Sequence, residues 1–125
     1  MKILLQNGLP YVAVEVSYRG RCLELGNVLL DTGSAGTVFS IDKLLDIGLE
    51  YAADDAVHRI HGVGGTEFVF SKIVERLAVG DICVDNFEIE VGGMNYGFEI
   101  DGIIGLDFLL CVGAVIDLAA MEVRV

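Results

Sequence analysis

Basic residues are scarce in this sequence. Eight Lys and Arg stand against nineteen Asp and Glu, for a net charge of −11. A surface of that sign repels phosphate backbones and argues against nucleic acid as a partner. Cysteines are few: Cys22, Cys83 and Cys111 are widely spaced and odd in number, with no CxxC pair. No disulfide set closes, so reduced and partly buried thiols are expected. No apolar run reaches the ~18 residues that a membrane helix needs. The opening MKILLQNGLPY has one Lys and only three consecutive apolar residues. That is too little for a signal peptide, and a soluble, cytoplasmic chain with no membrane partner is expected.

Proline occurs once, glycine sixteen times, and no linker or low-complexity stretch divides the 125 residues. One domain spanning residues 1–125 follows. Apolar residues make up 54% of the chain, enough for a core without a metal or disulfide frame.

Strand periodicity dominates. YVAVEVSY, Tyr11 to Tyr18, places Val12, Val14 and Val16 on one face. Arg19-Gly20 reads as a turn, and Arg21 to Leu30 as a returning strand with a kink or bulge at Gly26-Asn27. After a short strand at Thr37–Ser40, Ser40 is placed to cap a helix from Ile41 to Ile47 that Gly48 ends. Val57 to Glu75 reads as two strands around HGVGGT, and Ile82 to Val91 as another after a Gly80-Asp81 turn. Ile103-Ile104, a helical Leu106–Cys111, Val115–Asp117 and Met121–Val125 complete the chain. Many short strands and two short helices around one core predict an all-β closed or sandwich-like domain.

Three stretches carry candidate chemistry. In Leu29-Leu30-Asp31-Thr32-Gly33-Ser34 a carboxylate ends an apolar strand. Burying it is costly unless donors satisfy it. Thr32 and Ser34 bring hydroxyls, and Gly33 lets a backbone N–H approach. The same four residues also suit an ordinary turn. In Asp101–Leu109 (DGIIGLDFL) two apolar residues and Gly105 lead into a helix whose start carries Asp107, favourable to its dipole. In His58–Phe68 (HRIHGVGGTEF) three glycines in four positions make a hairpin tip able to close over a ligand, or simply a loose turn. It lacks GK[ST] and GxGxxG, so it is no phosphate loop. His58 and His61 have no Cys nearby to complete a metal site, and both are expected as solvated or hydrogen-bonded strand residues.

In this order and spacing the three stretches resemble the retropepsin-like aspartic proteases, of the single-domain bacterial type. The likeness runs from about Tyr11 to Asp117. It implies an acid-protease fold, closed and all-β, working as a two-fold homodimer because the chain has one DTG and a site needs two. Asp31, Thr32, Gly33 and Ser34 would form the catalytic loop, with Thr32 linking the two loops across the axis. Gly62, Val63, Gly64 and Gly65 would be the flap over an extended peptide, and Val63, Ile103 and Ile104 apolar pocket walls. The implied activity is endopeptidase hydrolysis by a water between two Asp31 carboxylates, with no metal or organic cofactor. The alternative is a non-catalytic dimeric peptide-binding or scaffolding module of the same fold.

The sequence departs from the retroviral pattern twice. Ser34 stands where those members usually have Ala, and its hydroxyl is expected to donate to the Asp31 carboxylate, which favours a more acid pH optimum. Ala35 and Leu106 stand where an interface ion pair is usual, so the dimer must be supported differently. End strands Lys2–Leu5 and Glu122–Val125 are candidates for interleaving between chains.

Overall fold

The computed structural model describes residues 1–62, 65–94 and 99–125, with the backbone alone described at 61, 62, 65 and 66. Alternating apolar residues set the first strands. β1 (Leu4–Gln6) turns through Asn7-Gly8 into β2 (Leu9–Tyr18), and β2 turns through Arg19-Gly20 into β3 (Arg21–Leu30). All four turn residues have positive φ, as two-residue type I′ loops require. The β2–β3 register slips by one residue where Gly26-Asn27 oppose Ala13, so the expected bulge is present.

The loop of residues 31–37 follows, then β4 (Val38–Ser40), helix α1 (Ile41–Leu44) and a 3₁₀ turn (Leu45–Ile47). Gly48 ends this element at φ 75°, in the left-handed region that favours glycine. Ser40 occupies the N-cap position, but its hydroxyl makes no capping bond. A long hairpin comes next: β5 (Val57–Gly62), β6 (Gly65–Val79) and β7 (Ile82–Gly92). The chain ends with β8 (Gly102–Ile104), α2 (Leu106–Val112), β9 (Val115–Asp117) and β10 (Glu122–Arg124). Among the described residues no helix is long and apolar enough to cross a membrane.

Eight strands form one sheet in the order β1-β2-β3-β8-β4-β7-β6-β5. The sheet closes because β2 is shared: Leu9–Tyr11 pairs with β1, while Val14–Ser17 pairs with β6. β3 runs parallel to β8, and β4 parallel to β7. Both termini pair with each other within the chain. Lys2 bridges Glu122, the Ile3 N–H donates to the Met121 carbonyl at 2.9 Å, and the Val123 N–H donates to the Met1 carbonyl at 2.7 Å. Leu4 and Leu5 belong instead to β1.

The barrel has two apolar faces. Val12, Val16, Leu30, Phe39, Ile89, Val91, Ile104 and Phe108 fill the main core. Each such side chain contributes roughly 1.5–3 kcal/mol on burial. The other face carries a smaller cluster of Tyr11, Val38, Val69, Met94, Ile100 and Ile103, against which Leu29 and Ile60 pack. Strand alternation assigns neighbours to opposite faces, so Ile103 and Ile104 part company.

Candidate active site

Asp31 follows the last residue of β3, and its backbone N–H continues the parallel ladder by donating to the Ile104 carbonyl at 3.0 Å. The chain then turns sharply. The Ser34 N–H donates to the Asp31 carbonyl at 3.2 Å, and the Gly33 N–H donates to Asp31 Oδ1 at 2.9 Å. A Cβ at Gly33 would sit 3.2 Å from that same oxygen, so a glycine best allows the approach. Asp31 is half-buried, Thr32 and Gly33 are exposed, and Ser34 is half-buried. A strand thus ends on a carboxylate that one amide holds and solvent still reaches.

The Ser34 hydroxyl departs from expectation. It donates to the Gly36 carbonyl at 2.7 Å. A short local acceptor two residues on wins over the carboxylate. The stated reason for an acid-shifted pH optimum therefore falls away.

Thr37, 1% exposed, locks this loop to the start of α2. Its hydroxyl donates to Asp107 Oδ1 at 2.7 Å, its amide donates to Oδ2 at 3.2 Å, and it accepts the Gly105 N–H at 3.1 Å. The Leu106 N–H adds a bond to the Ser34 carbonyl at 2.7 Å. Gly105 is pressed so closely on the Gly36 and Ser34 carbonyls that a Cβ there would overlap backbone. The sequence placed Asp107 by the helix dipole but missed Thr37 as its partner. The only local sign was a hydroxyl residue at the head of an apolar strand.

The other site residues divide. Gly62 and Gly65 face each other across β5 and β6, forming the base of the glycine-rich tip. Val63 and Gly64 lie outside the described residues. Ile103 faces the smaller cluster, 7% exposed, on the side of the sheet that carries Leu29. Ile104 is a correction: it is fully buried in the main core and cannot wall a substrate pocket. The cysteines are free, as expected, but all three are exposed where partial burial was expected. His58 is exposed, and its Nε2 lies 3.0 Å from Ser71 Oγ, as a hydrogen-bonded strand histidine should.

A sequence profile described as aspartyl protease matches residues 14–108, from β2 into α2. The chain belongs to the aspartyl protease family. The match includes the Asp31 loop, the β5–β6 hairpin and the Gly105 junction, and the fold joins the first of these to the last through the Leu106 N–H and the Ser34 carbonyl. The mostly-β architecture with two short helices fits the acid-protease fold of that family. No curated protein matches the chain significantly.

Proposed function

We propose that this family member is an aspartic endopeptidase, active as a homodimer with one Asp31 from each protomer. The observation that carries the reading is Asp31 itself. Its carboxylate stands at a strand end, held by the Gly33 N–H at 2.9 Å and open to solvent. One chain holds one such DTG loop. A two-fold axis beside Asp31 supplies the second carboxylate.

The chemistry follows from that pairing. Two carboxylates about 3 Å apart cannot both ionise readily, so they share a proton. The charged member takes a proton from a water between them, and that water attacks the scissile carbonyl. The protonated member donates to the carbonyl oxygen. The roles then reverse as the amine departs. Thr32, exposed beside the axis, is free to meet the partner loop. The β5–β6 hairpin, with Gly62 and Gly65 at the base of its glycine-rich tip, lies over an extended peptide that pairs with it as a strand would. Support for the dimer comes from Leu106. It is 38% exposed, bonded through its amide to Ser34, and offers an apolar surface beside the site with Ala35.

The test is cleavage of an unstructured protein between about pH 4 and 7, with Asp31→Asn run beside the wild type. Cleavage lost in the variant is the expected result. Equal cleavage by both overturns the assignment of Asp31. Cleavage by neither, in a dimeric sample, favours a peptide-binding module of the same fold, or an enzyme restricted to one substrate.

A further inference from the structure

One row of residues crosses six strands on the face that carries the site. Tyr11 pairs with Leu29, Leu29 with Ile103, Ile103 with Val38, Val38 with Glu90 and Glu90 with Ser71. Paired residues share a face, so Glu90 lies on the same side as Leu29, and Leu29 on the same side as Asp31. The first four members are apolar and belong to the smaller cluster or pack on it. Glu90 breaks the row with a charge.

The surroundings of Glu90 leave one of its oxygens, the enclosed Oε2, without a hydrogen-bond donor among the described residues. Oε1 lies over the active-site loop, where a Cβ on Gly36 would come within 2.5 Å of it. The Glu90 backbone N–H is tied to that loop by the Thr37 carbonyl at 2.9 Å. On the other side Ser71 and His58, the latter on the flap strand β5, complete the wall. Burial pushes the carboxyl up, His58 opposes this, and Asp107 and Glu88 add to it. A half-buried carboxyl without a donor gains most from a cation brought to it.

The geometry points to Glu90 as a specificity-determining residue that receives a lysine or arginine side chain of the substrate. The inference deepens the endopeptidase reading and rests on it. Leu29 and Glu90 are three strand spacings apart, about 14 Å, and an extended peptide rises about 3.3 Å per residue. With the reach of both long side chains, the basic residue falls about two to four residues from the scissile bond. The two-fold axis repeats the subsite, so basic residues on either side of the bond are favoured. The net charge of −11 draws such substrates in.

The experiment uses fluorogenic peptides in which lysine, its uncharged near-isostere norleucine, or glutamate is moved through the positions around a hydrophobic pair. Cleavage is measured with the wild type, Glu90→Gln and His58→Lys. Binding of the same peptides to Asp31→Asn and to Asp31→Asn/Glu90→Gln is measured by fluorescence anisotropy. The expected result is faster cleavage of a lysine peptide than of its norleucine twin. Glu90→Gln should lower kcat/KM for the lysine peptide about tenfold or more and leave the norleucine peptide unchanged. His58→Lys places a rival cation beside Glu90 and should suppress the same preference, so the result does not hang on one variant. Equal cleavage and binding of the two peptides, or a lysine preference that survives Glu90→Gln, overturns the subsite. Lysine-selective binding that needs Glu90, with no cleavage by the wild type, leaves the subsite standing and removes the protease reading. Binding of no peptide and cleavage of none overturns both.

Discussion

Thr37 and Asp107 are 70 residues apart in the chain and are joined twice, hydroxyl to Oδ1 at 2.7 Å and amide to Oδ2 at 3.2 Å. This clasp fixes the loop after Asp31 against the first turn of α2. Thr37→Val keeps the shape but removes the acceptor of the buried Gly105 N–H and one donor to Asp107. A cost of about 1–3 kcal/mol in denaturant unfolding is expected. Thr37→Ser keeps the hydroxyl and should recover most of it. The proposed proteolytic activity should follow the same order, since the clasp fixes the loop that begins at Asp31.

Gly105 bears on the same junction through space. A Cβ there would overlap the carbonyl of Gly36 and approach that of Ser34, and backbone cannot swing aside as a flexible side chain can. Gly105→Ala should therefore cost about 1–3 kcal/mol or more, measured by urea unfolding. Gly26→Ala is the control, because a Cβ at Gly26 meets nothing within 4 Å. Equal stability of the two variants would show that the junction yields.

The Lys72–Asp55 pair gives a pH dependence. The ions lie 2.8 Å apart with 11% and 13% of their side chains exposed, and they pin the segment before β5 to β6. The Lys72 side chain, then the Ala52 amide, holds the Asp55 carboxyl below the usual aspartate range. A depressed folded-state value means that the stabilisation is present above the ordinary aspartate range and is lost as pH falls through the folded value. Melting temperature should fall on the acid side in the wild type. In Asp55→Asn that part of the fall should be missing. Lys72→Met should lower stability at neutral pH and, by removing the main cause of the depressed value, lose most of the same acid-side fall.

The proposed sharing of one site by two protomers predicts an activity that depends on concentration. Specific activity should be constant at high concentration and drop on dilution through the dimer dissociation constant. Sedimentation velocity over the same range should show the dimer giving way to monomer. Activity proportional to concentration throughout a range in which the protein is monomeric would rule out the shared site.

Local rules made much of this protein legible. Period-2 alternation located β2 and β7, Arg19-Gly20 and Gly80-Asp81 marked turns, and Gly26-Asn27 marked the bulge. Those features depend on residues close in the chain, where side-chain periodicity and the sterics of positive φ act. The DTGS run likewise announced a carboxylate held by its own loop, and the Gly33 amide does hold it.

Contacts between distant segments were not legible. Ser34 chose the Gly36 carbonyl because that acceptor lay nearer, which only the loop's closed shape decides. Ile103 and Ile104 read alike as a pair, yet the β3–β8 register sends one to the site face and the other to the main core. The cysteines sit among apolar neighbours but on the outside: strand alternation turns Cys22 and Cys83 to solvent, and Cys111 lies on the exposed side of α2.

The sequence by itself determined where strands and turns fall and which carboxylate ends β3, since those follow from local sterics and hydrophobic period. Tertiary structure alone decided that Thr37 meets Asp107 and that Glu90 joins the row leading to Asp31. Both depend on the pairing of strands far apart in the chain, and register is a property of the assembled sheet.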